Sequence, residues 1–169
     1  MVDDNDEVIG QKLKSICIRD KILKRGACIL VFNDPSFQSI LLQERGPGVR
    51  YPGLLCFPGG GLLSGDSYRD GAWRELREEL FHGSVLDESI SFEELFKIRK
   101  TWDQEPEFVT VFRTVHPGPF YPNPREVRSC RFEFVHSVGY VMRYEAGQFT
   151  ESARGVFFEY ARRYPIKTV

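Results

Sequence analysis

The 169-residue chain lacks any apolar stretch near the ~20 residues that a membrane-spanning helix requires. Its opening, MVDDNDEV, is acidic where a secretory leader is basic and apolar. Net charge is also missing: 23 basic against 24 acidic residues leave a formal −1, so no global field draws the protein to nucleic acid or to an anionic membrane. A local site for a phosphorylated small molecule stays compatible with that balance. The four cysteines, Cys17, Cys28, Cys56 and Cys130, lie far apart with no CxxC pair. That removes metal-cluster spacing and argues against a disulfide framework. Reduced thiols in a cytoplasmic protein are the expectation. No repeat, low-complexity run or linker interrupts the chain, so one domain over 1–169 is expected.

What is present is an ordinary globular composition, 41% hydrophobic and 28% charged. The run 27–32 (ACILVF) predicts a strand buried on both faces, and 39–44 (SILLQE) its hairpin partner. Glycine and proline crowd 45–61, which reads as loop, as does 116–124 (HPGPFYPNP). Asp66 or Ser67 caps a helix reaching about Leu80, with Ala72, Trp73, Leu76 and Leu80 as its apolar stripe. Further strands are predicted at 94–99, 108–115 and 127–135. A last helix over 152–163 has a stripe of Ala153, Val156, Phe157 and Tyr160 that reads as core packing. Interleaved strands and helices define a layered α/β or α+β domain.

Chemistry concentrates in 60–79 (GGLLSGDSYRDGAWRELREE). Glu75, Glu78 and Glu79 stand at i, i+3 and i+4, so a helix brings all three carboxylates to one face. Like charges at these spacings cost a few tenths of a kcal/mol per pair, and something positive should offset them. Two or three close carboxylates suit a hard divalent cation such as Mg²⁺. Arg74 and Arg77 could neutralise the same face, and arginine and glutamate are in any case good helix formers. The upstream Phe57-Pro58-Gly59-Gly60-Gly61 favours the metal, because a glycine turn leading to a helix can aim backbone groups at a metal or a phosphate. Average residue usage would produce the full spacing in roughly 10⁻⁵ of chains this long.

The segment resembles the Nudix box, G-x5-E-x7-R-E-U-x-E-E-x-G-U with U aliphatic, at about 60–82. The resemblance implies the Nudix α/β/α sandwich with a mixed sheet between helices. It also implies hydrolysis of a nucleoside diphosphate linked to another moiety, with Mg²⁺, or Mn²⁺ in its place. By that likeness Glu75, Glu78 and Glu79 bind metal, Arg74 orients Glu75, and the Gly59 carbonyl completes the site. Two positions depart from the pattern: Asp66 replaces the first glutamate, and Phe81-His82 replaces the Gly-aliphatic pair, a glycine arriving at Gly83.

A softer likeness over about 2–163 is similar to the isopentenyl diphosphate isomerase branch of the superfamily. It is carried by VDDNDEVIGQ, KRGA before a strand, LLQER, EPEF, HPGPF and QFT. Such isomerases carry a catalytic C-G-H where this chain has Gly59-Gly60-Gly61, and Cys56 lies three positions too early. Their N-terminal metal-binding histidines are also missing, since the three histidines are His82, His116 and His136. Isomerisation needs an acid and a base on opposite sides of the substrate, so the reading is the hydrolase side, with a catalytically impaired nucleotide-binding Nudix domain as the alternative. The branch implies that Glu105 binds metal and that Glu107 is catalytic, with Glu75 or Glu107 as general base; Glu126 is a further acidic candidate. Arg25, Arg45 and Arg50 are candidates for the substrate phosphates, since arginine offers fork geometry to phosphate oxygens. Trp102, Phe120 and Tyr121 are candidates for stacking on a base. A small-molecule substrate is the expected partner, and a homodimer is left open.

Overall fold

The computed structural model describes residues 1–84, 90–100 and 105–165. In chain order its elements are α1 (Lys14–Arg19), β1 (Lys24–Phe32), β2 (Ser39–Arg45), β3 (Leu55–Cys56), β4 (Gly59–Gly61), α2 (Tyr68–Leu80), β5 (Glu93–Lys100), β6 (Glu107–Val115), β7 (Val127–Phe134), α3 (Val135–Tyr144) and α4 (Glu151–Arg163). Alternation along β1 explains the layering. Ala27, Ile29 and Val31 pack with Leu41 and Phe112 under Ala72, Leu76 and Leu80 of α2. Leu30 and Phe32 pack on the opposite face with Ile40, Leu42 and Val111, beneath Val138 and Met142 of α3 and Val156, Phe157 and Tyr160 of α4. The result is a mixed sheet between helices, the expected α/β/α sandwich, and the stripe on the last helix is core.

The sheet runs β3-β2-β1-β6-β5, with β4 also on β1 and β7 on β2. β1 and β6 are parallel from Lys24↔Glu107 to Phe32↔Val115. The hairpin expected between β1 and β2 forms only at Phe32↔Ile40; β2 runs with β7 from Ser39 to Arg45 and pairs β3 at Gln43↔Cys56 and Glu44↔Leu55. Into the splay enters β4, antiparallel to β1 at Gly26↔Gly61, Ala27↔Gly60 and Cys28↔Gly59. The stretch 45–61, expected as loop, therefore holds two short strands. A run of three glycines has no strand propensity of its own, and pairing with β1 decides its conformation.

Helix α2 begins as expected. Ser67 Oγ accepts from the Asp70 N–H at 3.1 Å while the Asp70 carboxylate accepts from the Ser67 N–H at 3.2 Å, a reciprocal cap. It ends on schedule despite the departure at 81–82. Phe81 is the C-cap, its ring buried against His116 and Phe120, and Gly83 turns the chain at φ +72°. Two helices were not anticipated, α1 and α3. Val135, expected as the end of a strand, instead opens α3, whose buried Val135, Val138 and Met142 follow the helical period.

One buried acid ties the first ten residues to the sheet and to α2. Asp6 accepts from Arg25 Nε at 2.6 Å, Lys97 Nζ at 2.5 Å and Tyr68 Oη at 2.9 Å, joining β1, β5 and α2. Burial alone would raise the Asp6 carboxyl, but Lys97, Arg25 and Tyr68 outweigh it and hold it below its ordinary 3.8. A lowered folded-state value means that this contribution is complete above the unfolded value and is lost as pH falls through the folded one. Asp6→Asn should lower stability at neutral pH by about 1–3 kcal/mol. It should also flatten the acid limb of a thermal-unfolding series, and wild-type melting across that series would dismiss the clamp.

Candidate active site

Helix α2 delivers the carboxylates, and Arg74 arranges them. Its Nη1 donates to Glu75 Oε1 at 2.7 Å and to Glu78 Oε2 at 3.3 Å. Its Nη2 donates to the Gly61 carbonyl at 2.8 Å, and Nε to Asp66 Oδ2 at 3.3 Å. One guanidinium thus braces α2 against β4 and the loop before the helix. Asp66 also accepts from the Leu63 N–H at 3.1 Å, so the shorter acid still reaches Arg74. Glu75 and Glu79 are buried; Glu78 faces outward with its side chain 48% exposed.

Strand β4 gives the buried pair its room. A Cβ on Gly60 would lie 2.5 Å from Glu75 Oε2, and one on Gly59 would lie 2.2 Å from the Ala27 carbonyl oxygen. Glu79 Oε2 accepts from the Gly59 N–H at 3.0 Å and from Gln43 Nε2 at 3.0 Å. Gln43 is only 1% exposed, and its own Oε1 has no hydrogen-bond partner. Burial, then the charge of nearby Glu75, pushes the Glu79 carboxyl up to about 8. Burial also raises Glu75, against the pull of Arg74. Glu126, held by the Asn123 side-chain amide at 3.1 Å, adds its charge to the same effect on Glu79.

This pair is short of positive charge. No three His, Cys, Asp or Glu side chains among the described residues converge into a ready metal cage. Mg²⁺ needs none, because it keeps waters and binds through one or two carboxylates plus substrate phosphates. Two buried carboxylates with Arg74 beside them and Lys14 nearby fit that mode.

The other face of β4 walls a cavity of about 370 Å³ that includes Gly59, Gly60 and Gly61, Arg45 and Arg50, and the floor residues Lys24, Lys100 and Glu107. Glu107 accepts from Lys24 Nζ at 2.7 Å and pairs with Lys100 Nζ at 3.2 Å. Burial would raise Glu107, but the two lysines hold it below the usual carboxylate range. Glu105 pairs with Arg50 and, at 3.4 Å, with Lys24. Ammonium and guanidinium groups thus pair with both carboxylates.

The sequence candidates therefore separate. Glu75, Glu78, Glu79, Arg74 and Gly59 come together at one edge of the sheet, and Arg45, Arg50, Glu105 and Glu107 around the adjoining cavity. Arg25 goes elsewhere: it is bound to Asp6, lies over the Tyr68 ring, and does not line the cavity. Phe120 packs among Phe81, His116 and Phe132, and Tyr121 bridges to Phe81; neither lines the cavity. Trp102 lies outside the described residues. The sequence reading missed Gln43, Lys24 and Lys100. A glutamine within the apolar run of 39–44 was the available signal for the first, and the lysines carried none.

The class so defined is an α/β/α sandwich that presents helix-borne carboxylates at the splayed edge of a mixed sheet. The chain belongs to the NUDIX domain family, whose model matches residues 22–153. It is 29% identical over 133 residues to the uncharacterized Nudix hydrolase PA4841 of Pseudomonas aeruginosa, across 78% of this chain and 75% of that protein. The DR0079 structure from Deinococcus radiodurans is similar at a TM-score of 0.76 and 23% identity, covering 96% of each chain. The E. coli dihydroneopterin triphosphate pyrophosphohydrolase is similar at 0.57 and 13%, covering 82% of this chain and 97% of that one. The family model carries the assignment to the NUDIX family, and none of these relatives is named for the isomerase-like branch. Nudix enzymes generally use divalent metal ions and act on small molecules.

Gly60→Ala should cost about 1–3 kcal/mol because the new methyl meets the Glu75 carboxylate. Gly147→Ala, where nothing lies within 4 Å, should stay within about 0.5 kcal/mol of wild type. Equal melting temperatures for the two variants would contradict the close approach of β4 and α2.

Proposed function

We propose that this protein hydrolyses the diphosphate linkage of a nucleoside diphosphate joined to another moiety, with Mg²⁺ as its cofactor and Mn²⁺ as a substitute. The observation that carries the reading is the buried, charge-deficient pair Glu75 and Glu79 against β4. Glu75, Glu78, Glu79 and the Gly59 carbonyl would hold the ion, which when bound neutralises phosphate oxygens and lowers the pKa of water. Arg74 keeps Glu75 in place, and the Gln43 amide with the Gly59 N–H does the same for Glu79.

Of the two candidate bases, Glu75 stands among the α2 carboxylates, whereas Glu107 is clasped by two lysines that favour its ionised form. In this reading Glu75 would accept a proton from water as that water attacks phosphorus. The bond to the leaving phosphate oxygen breaks, and two phosphate-bearing products result. Isomerisation of an allylic diphosphate has less support. The Cys56 thiol is buried, accepts from Gln43 and Arg45 at 3.6 Å, and is pushed up to about 11, so it stays an inert thiol. The four unbridged cysteines suit a reducing compartment such as the cytoplasm.

Phosphorus NMR with Mg²⁺ and a pool of diphosphate metabolites, isopentenyl diphosphate included, tests the reading. New phosphomonoester or pyrophosphate signals that vanish with EDTA are expected. Glu75→Gln should reduce turnover by about 10²–10⁴-fold, and Glu79→Gln should lose the thermal stabilisation that Mg²⁺ confers on the wild type. Intact diphosphates throughout, or undiminished turnover in Glu75→Gln, would refute the assignment.

A further inference from the structure

Strand β7 ends the sheet on its side. It pairs with β2 from Ser39↔Phe134 to Arg45↔Val127, and among the described residues no strand pairs with its outer edge. Such an edge presents a row of backbone donors and acceptors, and proteins ordinarily blunt it with proline, lysine or a bulge. β5, at the opposite end, is blunted in this way: it carries Lys97 and Lys100, and its register shifts between Glu94 and Phe96. β7 reads VRSCRFEF, with neither proline nor lysine, and its register on β2 is regular from Ser129 to Phe134.

The ladder alternation fixes which groups face outward. The Val135 N–H donates to the Gln38 carbonyl at 2.8 Å, one step beyond Phe134↔Ser39. Bonded positions in an antiparallel ladder recur at every second residue, so Arg131 and Glu133 turn their N–H and C=O to β2. Cys130, Phe132 and Phe134 turn theirs away from it. Side chains alternate as well. Cys130 and Phe132 pack toward the α2 layer, and Phe134, on the same side, leaves its ring 58% exposed. Arg131 and Glu133 stand on the other face, paired to each other at 2.7 Å and open to solvent.

From this we infer that β7 is a homodimer interface, on which a second copy of the chain adds its own β7 antiparallel about a two-fold axis at Phe132. Matching outward groups with outward groups requires the axis to lie at a residue rather than between two. At residue 131 the axis would set Arg131 against its own copy, and at 133 it would set Glu133 against its own, like charges directly opposite. At residue 130 Arg131 would face Ser129 and form no ion pair. Only residue 132 sets each Arg131 opposite Glu133 of the other copy, twice over by symmetry. In that register the two Phe132 backbones exchange hydrogen bonds, and the exposed Phe134 stands opposite Cys130 of the other copy. The sheet then runs through both molecules. The inference goes beyond the hydrolase reading and is independent of it, since no active-site residue takes part.

Sedimentation equilibrium of the full chain over a dilution series tests it. Wild type should show a reversible monomer–dimer equilibrium. Arg131→Glu and Glu133→Arg should each weaken it by about tenfold or more, because each sets like charges opposite. Mixed in equal amounts, these two variants should dimerise with one another, and the double variant Arg131→Glu/Glu133→Arg should regain self-association. Phe134→Pro should be monomeric yet folded, since the native φ of −62° suits proline and the lost N–H faces outward. If its melting profile changes, the charge variants decide the matter. A wild type that is monomeric at every concentration overturns the interface and leaves the edge to a strand of another protein. A dimer that no variant weakens lies elsewhere on the molecule and overturns it too. Weakening by the single charge variants without rescue in the mixture overturns the register.

Discussion

The approach of helix α2 to strand β4 is the constraint on which the rest depends. The two come together so closely that side chains on Gly59 and Gly60 would collide with the Ala27 backbone and the Glu75 carboxylate. Because glycine leaves that space open, Glu75 and Glu79 can be buried at the sheet edge rather than turned to solvent. Arg74 then fastens the contact from the helix side through the Gly61 carbonyl, and Gln43 fastens it from β2 through Glu79. The splay of β2 from β1 beyond Phe32↔Ile40 is what admits β4 at all. Fold and site are thus one geometric fact: an opened hairpin filled by a strand without side chains.

Charge is divided across that strand. On the α2 side, burial raises the Glu75 carboxyl against the pull of Arg74, and burial with the charge of Glu75 raises that of Glu79. On the cavity side, lysines and arginines outnumber Glu105 and Glu107 among the described residues, and Glu107 is stabilised in its ionised form. The near-zero net charge of the chain conceals both zones, because they cancel in the sum. The same division separates acids that look alike in sequence: burial raises the Glu75 carboxyl, and two lysines hold that of Glu107 low.

Much of the architecture was legible in the sequence because it rests on local signals. The continuous apolar run of β1, the Ser67 cap, and the i, i+3, i+4 carboxylates of α2 each state their structure within a few residues. The short helix α1 and the helix α3 were missed, although Val135, Val138 and Met142 did follow a helical period hidden by the preceding strand pattern. Arg25 looked like Arg45, a basic residue beside a strand, yet strand alternation turns it toward Asp6 and Tyr68, away from the cavity.

The sequence by itself determined the layers, the family and the three carboxylates on one helical face, since periodicity and spacing are properties of contiguous residues. Only the tertiary structure decided that three glycines form a strand, that Gln43 holds Glu79, and that Lys24 and Lys100 claim Glu107. Each of these joins residues far apart in the chain, such as Lys24 and Glu107 paired across β1 and β6. Burial and partner charge, which set what each group can do, arise only when those strands meet.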